Sequence, residues 1–373
     1  MQFIDLQAQY QALKERIDSR IQAVLDHGQY IMGPEVRELE ENLSDYVGVK
    51  HCISCANGTD ALQLAMMALE VGPGDAVFTT TFTFFATAEV IPLVGATPVF
   101  VDIDAQTYNI DPVKLEQAIE KVIAEGELTP KVIIAVDLFG LPADYPAIEA
   151  IAKKYNLKIV EDAAQGFGGS INGRKAGSFG DLATTSFFPA KPLGCYGDGG
   201  ALFTDDDDLA EMLRSLRVHG KGTDKYDNVR IGLNSRLDTL QAAVLLEKLA
   251  AFPAELEARQ DVAGRYSDAL GEQFVVPHVP AGYVSSWAQY TLQPKSGSRE
   301  DYMSRLKDAG IPSVIYYGRN MHEQTAFKGA GNRLNDLSVA EKAARNVFSL
   351  PMHPYLDAEQ SAEVIEKLKD SKC

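Results

Sequence analysis

From residue 51 to residue 204 the chain repeats one motif: a short apolar run, a turn rich in Gly, Pro, Asn or Asp, and a helix-length segment. The apolar runs fall at 51–56, 75–80, 97–101, 131–138, 158–160 and 183–188, and helices are expected among them at 115–124 and 143–155. Strands joined through helices pair in parallel, because the helix carries the chain back to the edge it started from. The expected fold is therefore α/β, with a mostly parallel central sheet between helices. Sheets of this kind receive ligands beyond the carboxyl ends of their strands. Thr59, Phe84, Asp162 and Lys191 all follow predicted strands, which places them around one pocket.

The stretch 157–204 carries the most chemistry. Its first apolar run ends in Glu161 and Asp162, as a buried strand does when it delivers an acid to a site, and Gln165 stands three residues beyond Asp162. The run 183–188 contains Ser186 and is followed by one lysine, Lys191, set among Pro189, Pro192, Gly194, Gly197, Gly199 and Gly200. A lysine so placed is held by backbone geometry and not by a helix face. Lys191 with Asp162 predicts a Schiff-base lysine and a carboxylate that keeps a pyridine nitrogen protonated. An exposed loop lysine and a surface aspartate would leave these flanking residues without a purpose.

Residues 57–60, Asn-Gly-Thr-Asp, join the run 51–56 to the helical segment ALQLAMMALEV. A strand, a Gly-containing turn and a helix start offer free backbone N–H groups to a phosphate, and Thr59 adds a hydroxyl. The plainer reading is a capped helix with Thr59 or Asp60 as the N-cap. The Lys191 loop in the same chain favours the phosphate.

EDAAQ at 161–165 and TTSFFPAKPLGCYGDGGA at 184–201 resemble the fold-type I, pyridoxal-phosphate-dependent sugar aminotransferases of the DegT/StrS kind. The likeness runs from GQYIMGPEV through NGTDAL, TFTFFATAEV and GLNSRLDTLQAAV to SLPMHPYL, nearly the whole chain. It looks closest to members that aminate UDP-2-acetamido-2-deoxy-3-oxo-glucuronate at C3, with L-glutamate as amino donor. The resemblance implies pyridoxal 5'-phosphate held covalently on Lys191, with pyridoxamine phosphate as the intermediate form. It implies cofactor contacts from Gly58, Thr59, Asp60, Phe84, Asp162, Gln165 and Ser186. Phe84 would stack on the pyridine ring, Gln165 would bond the phenolic oxygen, and Thr59 and Ser186 would hold the phosphate. The loop 232–236 is implied to cross between subunits, so that Asn234 reaches the cofactor phosphate and Arg236 the substrate of a homodimer with shared active sites. Tyr317 and His322 are the implied sugar-side residues. Relatives usually carry a Tyr-Pro-x-Pro-Leu-His-like string there, whereas this chain reads Tyr-Gly-Arg-Asn-Met-His. Relatives serve bacterial surface polysaccharide synthesis, including lipopolysaccharide and O-antigen. Amination at C4 of a UDP- or dTDP-4-keto-6-deoxy sugar is the alternative among enzymes. A non-catalytic, cofactor-binding regulatory protein is the alternative of another class.

A net charge of −17 argues against nucleic acid as partner, since a phosphate-backbone binder needs a basic surface. Pyridoxal phosphate and a UDP-sugar are anions too, so a local basic patch is expected from Arg214, Arg217, His219, Lys221, Lys225, Arg230 and Arg236. No apolar run approaches the roughly 20 residues that span a bilayer, and the amphipathic start lacks a signal peptide's apolar core. A cytoplasmic protein with no membrane partner is the expectation. Cys52 and Cys55 form a CxxC without a second pair or histidine cluster, which reads as buried strand and not as zinc. The run 205–208, four aspartates, reads as a solvated turn capping a helix that begins near residue 209. No metal site is expected. Around Phe252-Pro253 the pattern changes from an apolar helix to a long polar one followed by short strands. Residues 1–250 are accordingly expected to hold an N-terminal segment and the large cofactor-binding domain, and residues 251–373 a smaller C-terminal α+β domain.

Overall fold

The computed structural model describes residues 1–224, 226–329 and 336–369. Helices α1 (Leu6–His27) and α2 (Pro34–Val47) lead in, separated where Gly28 adopts φ 71° and its N–H returns to the Val24 carbonyl. Then come β1 (His51–Cys55), α3 (Gly58–Ala68), β2 (Asp75–Thr80), α4 (Phe85–Leu93) and β3 (Thr97–Val101). The rhythm continues through α5 (Pro112–Glu125), β4 (Thr129–Val136), α6 (Tyr145–Tyr155) and β5 (Lys158–Asp162). A small hairpin, β6 (Ser170–Ile171) and β7 (Arg174–Lys175), precedes β8 (Leu182–Ser186), β9 (Gly200–Thr204), α7 (Asp207–Leu216) and α8 (Thr239–Leu270). The chain closes with β10 (Phe274–Val275), β11 (Tyr283–Val284), β12 (Tyr290–Pro294), α9 (Arg299–Asp308), α10 (Ser338–Asn346), β13 (Phe348–Leu350) and α11 (Ala358–Lys369).

Seven strands form the central sheet in the order β1-β9-β8-β5-β4-β2-β3. Strands β3, β2, β4, β5 and β8 run parallel, while β9 opposes both β8 and β1. The last residues of β1, β2, β4, β5 and β8 therefore share one edge with the first residue of β9. In that register Asp162 faces Thr184, and Gly200 faces both Ser186 and Cys55.

Apolar runs without alternation are what a sheet covered on both faces requires. Val77, Ile134 and Val160 pack under α3 and α4 on one face. Their neighbours Phe78, Ile133 and Ile159 pack under α5 and α6 on the other. Cys52 and Cys55 are buried strand residues, as the isolated CxxC suggested. Asp206 is the N-cap of α7 and accepts from the amides of Asp208 and Leu209, so the helix starts two residues earlier than the sequence suggested.

The expected break at Phe252-Pro253 is absent: α8 is one helix of 32 residues. Pro253 costs about 3 kcal/mol in a helix interior. On one side Leu245, Leu249 and Phe252 are buried against the large sheet, and on the other Val262, Tyr266 and Leu270 enter the core of the small one. At about 2 kcal/mol for each large apolar side chain, burial outweighs the proline. The small sheet, β10-β12-β13, is antiparallel and packs on α8, α9 and α11. Helix α10 docks on the large sheet through Asp102 at the end of β3, which accepts from the amides of Val339 and Ala340 and pairs with Lys114 at 2.7 Å.

Candidate active site

The loop 187–199 leaves β8 and returns to β9, and it carries Lys191. Its ends are tied by the amide of Phe187 to the Gly199 carbonyl and the amide of Cys195 to the Phe187 carbonyl, both at 2.8 Å. From beneath, Lys248 on α8 donates to the Gly194 carbonyl at 2.7 Å, and the Gln241 side chain accepts from the Tyr196 amide at 2.8 Å. A side chain at position 194 would lie 2.6 Å from the carbonyls of Phe188 and Pro189, so the turn closes only around glycine. Lys191 is thus half-buried on a loop with little freedom.

Asp162 ends β5 and is buried. Its Oδ2 accepts from the Thr87 hydroxyl at 2.8 Å and its Oδ1 from the Ala164 amide at 3.2 Å. Burial raises its pKa, while the Thr87 hydroxyl, the Lys191 charge and the Ala164 amide oppose the rise. Burial lowers the Lys191 pKa, and Asp162 opposes that in turn. The amine and the carboxylate therefore influence each other's charge at this edge of the sheet, and burial opposes the ionisation of both.

Gln165 is fixed on both sides. Its Oε1 accepts from the Phe139 amide at 2.7 Å, and its Nε2 donates to the Tyr317 hydroxyl at 2.9 Å. Phe84, at the N-cap of α4, is 54% exposed, with its ring centroid 6.3 Å from that of Tyr317. Phe82, by contrast, is fully buried core.

The turn 57–60 meets the end of β8. The N-cap of α3 is Asn57, not Thr59 or Asp60: its Oδ1 accepts from the Asp60 amide at 2.8 Å. The amides of Gly58 and Thr59 have no acceptor inside the helix. A Cβ on Gly58 would lie 2.6 Å from the Ser186 Cβ, and one on Gly200 would lie 2.5 Å from the Asn57 carbonyl. Glycine is what lets Gly58 and Ser186 share one corner. Lys191, Asp162, Gln165, Phe84, Gly58, Thr59, Asp60 and Ser186 all lie on the carboxyl-end edge of the sheet.

Asn234, Arg236 and His322 stand differently. Ser235 is buried and its hydroxyl accepts from the Ala56 amide at 3.2 Å, which anchors the loop beside the end of β1. Among the described residues the side chains flanking it, exposed Asn234 and half-buried Arg236, make no hydrogen bond or ion pair within the chain. His322 has both ring nitrogens engaged: Nδ1 with the Thr81 hydroxyl at 2.7 Å and Nε2 with Glu341 of α10 at 3.2 Å. Of the two residues assigned to the sugar, only Tyr317 reaches the polar groups of the pocket directly.

The expected basic patch is smaller than its sequence. Arg217 is buried against Glu40 and the Ser54 carbonyl, so its charge is neutralised inside the protein. Arg230 donates to the Ser215 hydroxyl, and Lys225 lies outside the described residues. No group of three or more His, Cys, Asp or Glu among the described residues is arranged to hold a metal ion.

Thr87, and Thr83 behind it, were not legible as site residues, because a hydroxyl in an apolar helical segment carries no motif. Nor was the pair of acids beneath the site, Glu161 and Asp137, whose side chains meet in the interior.

The chain matches the DegT/DnrJ/EryC1/StrS aminotransferase family over residues 11–369. It is 51% identical to the UDP-2-acetamido-2-deoxy-3-oxo-D-glucuronate aminotransferase of Pseudomonas aeruginosa, over 96% of each chain. A DegT DnrJ EryC1 StrS aminotransferase from Brucella abortus superposes with a TM-score of 0.97 at 53% identity, covering 99% of this chain and 98% of that one. NtdA from Bacillus subtilis with bound cofactor PMP superposes with a TM-score of 0.87 at 31% identity, covering 98% of this chain and 82% of that one. The chain belongs to the DegT/DnrJ/EryC1/StrS aminotransferase family.

Proposed function

We propose that this member of the DegT/DnrJ/EryC1/StrS aminotransferases moves an amino group from L-glutamate to C3 of UDP-2-acetamido-2-deoxy-3-oxo-glucuronate. It is a nucleotide-sugar aminotransferase, and its cofactor is pyridoxal 5'-phosphate. The observation that carries the reading is the placement of Lys191, on the glycine-closed loop after β8, and of the buried Asp162, at the end of β5, on one edge of the sheet, where each influences the ionisation of the other.

The residues fit that cofactor on grounds independent of kinship. A phosphate needs donors without side-chain bulk, and the corner of Gly58, Thr59 and Ser186 supplies two free amides and two hydroxyls where a Cβ on Gly58 would collide. A planar ring needs an apolar face, and Phe84 is open. A pyridine nitrogen needs a buried acid, and Asp162 provides it. When bound, the cofactor supplies an aldehyde and an electron-accepting ring that store an amino group between two half-reactions. Lys191 would hold the cofactor covalently, and burial, which lowers its pKa, would favour the neutral amine that takes and returns a proton. Asp162 would keep the ring nitrogen charged, and Gln165, fixed by the Phe139 amide and the Tyr317 hydroxyl, would bond the phenolic oxygen. Asp60 would complete the phosphate corner through its place in the first turn of α3.

The likeness to the Pseudomonas enzyme at 51% identity supports the 3-oxo-glucuronate substrate. A homodimer is supported by the loop that ends in Asn234 and Arg236: next to it Tyr226 and Ile231 are 85% and 91% exposed, apolar surface that a second copy would cover. Arg236 would then reach the substrate in the neighbouring site, with Tyr317 lining the sugar pocket and His322 bracing it. A place in bacterial surface polysaccharide synthesis, in the cytoplasm, is part of the same proposal. Incubating the protein with glutamate and a panel of UDP- and dTDP-ketosugars tests the reading. A 3-amino product from the glucuronate substrate is expected, and a 4-amino product from a 4-keto-6-deoxy sugar in its place would overturn the substrate assignment.

A further inference from the structure

The carboxylate of Asp162 does not stand alone at the end of β5. Its Oδ2 lies 2.8 Å from the hydroxyl of Thr87 on α4, and that hydroxyl lies 3.0 Å from the hydroxyl of Thr83, in the turn before α4. Thr83 and Thr87 are each 1% exposed. An ionised carboxylate only accepts hydrogen bonds, so Thr87 must be the donor to Oδ2. Its single proton is then committed, and Thr83 must donate to Thr87. The direction of both bonds is thereby fixed, from Thr83 through Thr87 to Asp162, among side chains buried from solvent. With the Ala164 amide on Oδ1, each carboxylate oxygen has one donor and the plane of the group is set.

We propose that Thr87 is a positioning residue for the transamination: polarised by Thr83, it orients Asp162 and keeps it ionised, so that the proton rests on the cofactor's ring nitrogen and not on the protein. This inference rests on the cofactor reading above. Its physical basis is a competition. Removing a carboxylate from water favours its neutral form, and a hydrogen bond donated to the ionised form opposes that. In a low-dielectric interior a chain of two aligned hydroxyls polarises along its length and donates more strongly than one. Burial drives the Asp162 pKa up, and the Thr87 hydroxyl is the largest influence acting against it, ahead of the Lys191 charge. Without Thr87 the proton shared between acid and ring would shift toward the acid, and the ring would lose its positive charge. The titratable groups whose charge is coupled to Asp162 are Lys191 on the loop after β8, Asp137 after β4, Tyr145 on α6 and Tyr317 from the C-terminal part. Among the described residues none of these groups donates a hydrogen bond to the Asp162 carboxylate, whose donors are the Thr87 hydroxyl and the Ala164 amide.

The test uses holoenzyme reconstituted with pyridoxal phosphate labelled with nitrogen-15 in the ring. In Thr87→Val the ring-nitrogen resonance should move from the pyridinium position toward that of the free base. Turnover should fall roughly 10- to 100-fold, the range for losing a hydrogen bond to a charged group, with KM for the nucleotide sugar little changed. Thr87→Ser, which keeps the hydroxyl, should restore both readouts. Thr83→Val should move both in the same direction by less. Where valine prevents folding, Thr87→Ala carries the same expectation. A Thr87→Val or Thr87→Ala holoenzyme with the wild-type resonance would overturn the proposal while leaving the cofactor reading intact. A wild-type resonance in Asp162→Asn would overturn both.

Discussion

The Nε2 of Gln165 donates to the hydroxyl of Tyr317 across 2.9 Å, joining the end of the central sheet to the C-terminal part of the chain. Because the Oε1 of the same amide is taken by the Phe139 amide, the side chain has one orientation, and its second Nε2 proton is free for a ligand. Burial raises the Tyr317 pKa, so its hydroxyl keeps its proton at any working pH and can donate onward into the pocket.

Tyr317→Phe therefore removes one partner of Gln165 and keeps the ring packed against Phe82 and Phe84. A neutral hydrogen bond contributes about 1 kcal/mol net, so turnover should fall about fivefold with little change in melting temperature. Steady-state kinetics beside a thermal melt measure both. A fall of more than several degrees without a kinetic change would mean that the bond only braces the fold.

Lys191→Ala should abolish turnover and the visible absorption of the bound cofactor, and persistence of either refutes the lysine's role. Asp162→Asn should still bind cofactor but turn over poorly. An unpaired buried charge costs about 3–5 kcal/mol, or a factor of at least about 100 in rate. Full activity in Asp162→Asn would exclude it as the partner of the ring nitrogen.

If Arg236 acts across a subunit boundary, two inactive proteins should repair each other. Mixing Lys191→Ala with Arg236→Ala under conditions of subunit exchange should recover about a quarter of wild-type activity, since half the dimers are mixed and each has one intact site. Recovery of nothing, with mixed dimers demonstrated by a tag, would confine Arg236 to its own chain.

Glu161 and Asp137 meet below the site with no exposed surface, and burial raises the pKa of each, most strongly at Glu161. Glu161 accepts from the amides of Gly177 and Phe179, and Asp137 from the Ala143 amide and the Tyr145 hydroxyl. The remaining oxygen, Oδ2 of Asp137, has no donor unless Glu161 carries a proton. A carboxyl with its folded pKa above the unfolded one binds more protons folded than unfolded. Its contribution to stability therefore declines as pH rises from the ordinary carboxylate range, about 4, through the folded value. Asp137→Asn offers Glu161 a permanent donor. Its melting temperature should fall less than that of wild type between pH 5 and pH 8, and an equal fall would exclude the shared proton.

The βα rhythm fixed the class of fold, because burial on both faces of a parallel sheet demands continuous apolar runs that a reader can count. Lys191, Asp162 and Gly58 were legible for a related reason. Turn formers and acids placed just after such runs can only stand at the sheet's edge, where the backbone dictates the residue type. The partners of those groups were not legible. Thr87 is an ordinary helical threonine until α4 folds over β5. Arg217 is an ordinary basic residue until Glu40 is found beside it, and His322 an ordinary loop histidine until Thr81 and Glu341 enclose it. Pro253 suggested the end of one helix and the start of another, which burial on both flanks of α8 overrode. Local chemistry along the chain determined where the reactive groups lie. Which hydroxyl or charge each one meets was decided only by packing, since partners 75, 177 or 241 residues away leave no trace in local sequence.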